Sequence, residues 1–127
     1  MSMMEQDELD RRFCNILLDS LDETITSLLS GDVTDALYDH MQRVHSIRRE
    51  EIPYRLETLT FTLGKVFGCS YRTIYRAFAK NFYAKLGLPF PDNSNYTLIQ
   101  YVRTAKASLN AEQGESITHT LLSVMNL

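Results

Sequence analysis

The sequence has no tryptophan, and only two cysteines, three prolines and five glycines in 127 residues. Two cysteines, Cys14 and Cys69, are too few for the disulfide framework of a small secreted protein. They are expected as small buried hydrophobes in a reducing compartment. No apolar run approaches the roughly 20 residues that span a bilayer. The acidic start, Met1 to Asp10, lacks the basic-then-apolar order of a secretory signal. A cytoplasmic location is expected by elimination. Positive charge is also scarce. With 13 Lys and Arg against 16 Asp and Glu the formal net charge is -3. No global positive field then draws the chain to nucleic acid or anionic lipid, so nucleic acid is disfavoured as a partner and a membrane is not expected.

Catalytic spacing is missing as well. A nucleophile elbow G-x-S-x-G does not occur, and Gly64-Lys65 is followed by Val66 rather than the Ser or Thr of a phosphate loop. His40 and His45 are five apart on one predicted helix, not at the i, i+4 spacing that brings two metal ligands onto one face. His119 stands alone in the last segment. The expectation is therefore no catalytic residue, no cofactor and no metal, and an enzyme is not expected.

What is present is helical periodicity. Leu9, Phe13, Ile16, Leu17, Leu21, Ile25, Leu28 and Leu29 recur in steps of three and four and lay one stripe along a helix from Asp7. Gly31 is placed to end it, and Asp32 to cap a second helix carrying Val33, Ala36, Leu37, His40, Met41 and Val44. Arg48 to Glu51 reads as a short solvated connection, and Ile52-Pro53 as extended chain, because proline disfavours helix in the residue before it. Leu56 to Phe67 fits a helix by spacing and a strand by the alternation of Leu59, Phe61 and Leu63. A lone strand has nothing to pair with, so helix is preferred. Gly68-Cys69-Ser70 is a turn with Ser70 as cap.

A fourth helix then carries Tyr71, Ile74, Tyr75, Phe78, Phe82 and Leu86 on one face, read as core, and ends at Gly87 before Pro89 and Pro91. Asp92 to Asn95 offers a cap for a fifth, with Tyr96, Ile99, Val102 and Ala105. The remainder, with Ile117, Leu121, Val124 and Met125, reads as a short helix or tail. The length suits one domain with a core of its own. The fold class is all-α, a compact bundle of about five helices.

Charge is unevenly spread. Acids dominate Glu5 to Asp39, whereas the five charges between Thr58 and Pro91 are all basic: Lys65, Arg72, Arg76, Lys80 and Lys85. Arg72, Arg76 and Lys80 form a ridge at spacing four, and with Lys65 they are the candidate interaction residues. The ridge is either a solvated face paired with the acidic helices inside the fold, or a docking surface for an acidic partner.

Two resemblances bear on function. Phe67 to Arg76 resembles the turn and recognition helix of TetR-like regulators, with Arg72, Thr73, Arg76 and Lys80 as the polar face such a helix turns to DNA. A longer one runs through Ala36-Leu37-Tyr38-Asp39-His40, Ile47-Arg48-Arg49-Glu50-Glu51-Ile52-Pro53, Val66-Phe67-Gly68, Thr73-Ile74-Tyr75 and Phe82 to Leu88. This order is similar to a small archaeal helical output domain, the Nitrososphaera-type output domain, over residues 31–107. Residues 1–30 and 108–127 lie outside it. The resemblance implies a signalling or regulatory module and supplies no catalytic residues. The first reading is thus a non-enzymatic interaction domain that binds a protein partner or itself, as in a homodimer. The alternatives are a helix-turn-helix-like DNA-binding regulator using residues 70–86, and a small enzyme or ligand carrier with an undetected pocket.

Overall fold

The computed structural model describes residues 3–91 and 95–110, with side chains from residue 8 onward. Five α-helices run in order: α1 Met3–Leu28, α2 Gly31–His45, α3 Leu56–Phe67, α4 Tyr71–Leu86 and α5 at 98–110. Short 3₁₀ turns, Arg49–Tyr54 and Gly68–Ser70, join α2 to α3 and α3 to α4. Among the described residues there is no strand, and no helix is long and apolar enough to cross a membrane. The all-α bundle stands, and the ambiguous Leu56 to Phe67 stretch is helix. Residues 111–127, which hold His119 and the apolar positions of the final segment, lie outside the described residues.

The bundle is organised around α1 and α4. Leu17, Leu18, Leu21 and Ile25 are buried along α1, facing the buried side of α4: Ile74, Tyr75, Phe78, Ala79, Phe82 and Tyr83. Phe82 is central. It stacks on Phe78 at 5.4 Å and meets Phe13 of α1 edge-on at 5.2 Å. Burying side chains of this size contributes about 1.5–3 kcal/mol each. On its other side α4 receives α5. The Tyr83 hydroxyl donates to the Tyr101 carbonyl at 2.7 Å, and Phe90 stacks on Tyr101 at 5.4 Å. Leu98 and Ala105 of α5 are fully buried.

The local signals at helix ends differ from those expected. Ser30, not Asp32, caps α2, its Oγ accepting from the Val33 N–H at 3.2 Å. A cap must stand outside the helix with extended backbone, and Ser30 does; Gly31 is then the first helical residue. The left-handed residue nearby is Ser46, at φ 56°, which closes α2. Ser70 has helical backbone and makes no cap hydrogen bond. The fifth helix is capped by Thr97, whose Oγ1 accepts from the Gln100 N–H while the Gln100 side chain accepts from the Thr97 N–H. This is a reciprocal capping box, and it starts the helix after Tyr96. Gly87 behaves as expected: at φ 71° it ends α4, and the Leu88 N–H returns to the Tyr83 carbonyl. At the other terminus α1 is helical from Met3, where Met, Glu and Gln are good helix formers in their own right.

Two further expectations fail for physical reasons. Ile52-Pro53 is not extended; it sits inside the 3₁₀ turn Arg49–Tyr54. Ile52 is fully buried, and the turn lies against α1. The Glu51 side chain accepts the Arg48 N–H at 3.2 Å and closes the turn. Burial and this local bond outweigh the preference that Pro53 imposes. The cysteines are not buried: Cys69 is exposed in the turn between α3 and α4, and Cys14 is half-buried, both as free thiols.

Candidate functional site

The basic residues singled out by the charge layout do not form one uniform surface. Lys85 reaches back to α1 and pairs with Glu23 at 3.0 Å. Asn81, one turn earlier, donates to the same carboxylate at 3.0 Å. The Asn81 hydrogen bond, then that from Lys85, lowers the Glu23 pKa. One end of α4 is therefore neutralised inside the monomer. The other end points outward. Arg72 is exposed and donates to the Tyr75 hydroxyl at 3.4 Å, a contact that raises its own pKa. Arg76 is half-buried and Lys80 exposed, with the Lys80 ammonium 5.9 Å from the Phe90 ring.

Lys65, on α3, belongs to a different setting. Its ammonium lies 5.2 Å from the centre of the Phe61 ring. That ring is 57% exposed. At 5.2 Å a cation over an aromatic face is attracted by the ring quadrupole. The outer face of α3 thus presents an aromatic ring and a positive charge to solvent, while Val66, five positions after Phe61, is exposed on another side of the last turn. Thr62, between them in sequence, turns inward; its hydroxyl lies 3.4 Å from the His45 ring. His45 in turn meets His40 edge-on at 5.8 Å, so the two histidines touch although they are five apart. No cluster of three or more potential metal ligands occurs among the described residues.

A polar junction that periodicity did not reveal ties α1, α2 and the first 3₁₀ turn together. The Tyr38 hydroxyl donates to one oxygen of Asp22, and Arg49 donates to the other at 2.5 Å. Asp19 lies 3.7 Å from the same guanidinium, which also sits 5.8 Å from the Tyr38 ring. Burial, reinforced by the bond to Asp22, raises the Tyr38 pKa; the bond to Asp22 raises that of Arg49. Every polar atom here serves the fold, so the junction is a structural clasp.

A cleft opens elsewhere, between the end of the first 3₁₀ turn, the start of α3 and the outer side of α5. It has a volume of about 430 Å³ and is lined by Tyr54, Arg55, Leu56, Glu57, Ile99 and Arg103 among others. Tyr54 also borders a second cleft of about 360 Å³ against Asp10, Arg11 and Cys14 of α1. A sequence signal for the first cleft did exist. From Thr58 to Asn110 the only acid is Asp92, so α5 offers no carboxylate to Arg103.

No family profile, curated protein or solved structure matches this chain.

Proposed function

We propose that this chain is a non-enzymatic helical interaction domain, an output or regulatory module that binds a protein partner or a second copy of itself. The observation that carries the reading is the outer face of α3. Phe61 stands more than half exposed on a helix whose Leu59 and Leu63 are fully buried and whose Leu56 and Phe67 are half-buried, and Val66 is more than half exposed in the last turn. An exposed aromatic group set beside a cation, as Phe61 is beside Lys65, makes a surface suited to a partner that is apolar at its centre and acidic at its rim. Arg72 and Lys80, exposed on α4, extend positive charge beyond it. The similarity in residue order to archaeal output domains supports the same reading.

The test is light scattering after size exclusion across concentration and salt, combined with a photo-crosslinking residue at position 61. Formation of a defined complex that Phe61→Ser with Lys65→Glu removes, with helical content unchanged, is the expected result. A wild-type chain that stays monomeric, with position 61 crosslinking to nothing in its native extract, would sink the reading.

One feature favours a second reading. The Gly68–Ser70 turn joins α3 to α4 in three residues and leaves Arg72 and Thr73 exposed on the first turn of α4, where a helix-turn-helix regulator places its base-reading side chains. Salt-sensitive binding of duplex DNA, abolished by Arg72→Glu, would establish it in place of the first.

A further inference from the structure

The cleft between Tyr54 and α5 is lined by two arginines, Arg55 and Arg103, that form no ion pair among the described residues. Arg55 comes from the junction before α3 and Arg103 from the second turn of α5, yet both line the same cleft. Among the described residues neither has an ion-pair partner, in contrast to Arg43, Arg49, Lys85 and Lys106. Glu57, the acid on the cleft wall, pairs with neither of them. Two like charges brought to one concave surface repel across it, and a carboxylate arriving from outside relieves both at once.

The rest of the wall mixes the polar Glu57 and Thr58 with apolar side chains. Leu56 and Ile99 are half-buried, and Tyr54 is 70% exposed at the edge. A tyrosine left that open presents a flat ring to whatever enters, at a low cost in rotamer freedom, while its hydroxyl turns to Cys14 of α1.

We propose that this cleft is a peptide-docking site for an extended acidic segment of a partner protein. One carboxylate of the segment lodges between Arg55 and Arg103, and an apolar neighbour lies against Tyr54 and Ile99. The inference rests on the interaction-domain reading, but it uses a surface other than the outer face of α3. The arginines supply charge-assisted hydrogen bonds to the carboxylate, and the apolar side chains of Tyr54, Leu56 and Ile99 distinguish such a segment from a free anion.

The experiment measures fluorescence anisotropy of a labelled peptide of alternating glutamate and leucine against the full chain at low salt. Saturable binding is expected, weakened about tenfold by Arg55→Ala or Arg103→Ala, as loss of a hydrogen bond to a charged group implies. Phe61→Ser and Lys65→Ala should leave it unchanged. That arm separates the two surfaces: peptide binding that survives in Phe61→Ser while the α3 complex is lost upholds the cleft by itself. Binding that fails to appear, that persists in the double arginine variant, or that is lost in Lys65→Ala instead would overturn the proposal. So would full competition by inorganic phosphate, which would make the cleft a small-anion site. Full competition by duplex DNA, or a wild-type dimer dissolved by the double arginine variant, would give it another occupant and overturn it equally. Circular dichroism of each variant confirms that the exposed substitutions leave the fold intact.

Discussion

Helices α3 and α4 are consecutive, amphipathic and separated by three residues, yet they spend their apolar side chains differently. α4 buries Ile74, Tyr75, Phe78, Ala79, Phe82 and Tyr83 against α1 on one side and α5 on the other. α3 is at least as rich in apolar residues, but only Leu59, Thr62 and Leu63 are buried, and Phe61 and Val66 remain outside. The difference lies in how extensively each is packed, since α3 meets α2, α4 and the two 3₁₀ turns only briefly while α4 lies along α1. α4 is flanked, whereas α3 packs at the periphery with one face free. What folding leaves unburied on α3 is available for association, and what it buries on α4 is not.

That contrast can be broken most directly at its buried end. Phe78 is 1% exposed and stacked on Phe82. Phe78→Ala should cost about 3–5 kcal/mol in a urea melt, the range for deleting a fully packed phenylalanine. A loss below about 1 kcal/mol would mean that α4 is no more essential to the core than α3.

The next largest effect is expected at the α4–α5 contact. Tyr83→Phe removes the donor to the Tyr101 carbonyl in a buried setting and should cost about 1–2 kcal/mol. It should also change the alkaline response. Burial, with Tyr96 and Tyr101 nearby, pushes the Tyr83 pKa from 10 up to about 12. A phenol harder to ionise in the folded chain than in the unfolded one contributes its full share of stability below pH 10. It gives that share up as pH rises toward 12. The wild-type melting temperature should therefore fall across that window, and Tyr83→Phe should fall less steeply. Some slope will remain, because Tyr38 and Tyr71 are raised in the same direction.

At the clasp, Arg49→Ala should cost about 1 kcal/mol. The charged hydrogen bond to Asp22 is partly screened where the arginine side chain is 41% exposed. Chemical denaturation at low and high salt should show the penalty shrinking with salt.

The smallest effect on stability sharpens the comparison most. Phe61→Ser lies on the free face of α3 and should change the urea midpoint by no more than about 0.5 kcal/mol equivalent, while removing the complex assigned to that face. A large loss of stability would place Phe61 in the core after all.

How much of this was legible in the sequence followed from where the burial lay. The stripe Tyr71, Ile74, Tyr75, Phe78, Phe82 and Leu86 marks α4 because a helix buried along one side must repeat near 3.6. The same rule misjudged Val44, which keeps the register of Leu37 and Met41 yet is exposed in the last turn of α2. Periodicity reports which side a residue is on, not how far the neighbouring helix extends. It also missed Leu98 and Tyr101, because a helix starting at a capping box two residues after Tyr96 has a different buried set from one starting earlier. Ile52 was misread since its neighbours are charged and its proline suggests extended chain, while its burial depends on α1, far away in sequence. The cap at Ser30 was misassigned to Asp32 because both residue types cap equally well and only backbone geometry separates them. For the candidate site, Lys65, Arg72, Arg76 and Lys80 were visible as charges. The ring beneath Lys65 is legible too, since Phe61 and Lys65 stand four apart on one helix; that Arg55 and Arg103, 48 positions apart, line one cleft is a tertiary fact that no local pattern carries.

The pairing of α1 with α4 also sets an order of events. The Asn81 to Glu23 contact spans 58 residues, so the part of α1 that packs on α4 stays uncovered until α4 has been made, although α2 and the first 3₁₀ turn reach α1 sooner. On a ribosome elongating at about 5–20 residues per second, that is a wait on the order of several seconds with Leu17, Leu18, Leu21 and Ile25 uncovered. Once released, the chain must close that long loop before its largest contact forms, while the turns around α2 and α3 need only local closure. Docking of α1 is thus the step at which a nascent chain is most open to chaperone capture, and a slow codon before Phe82 would prolong it.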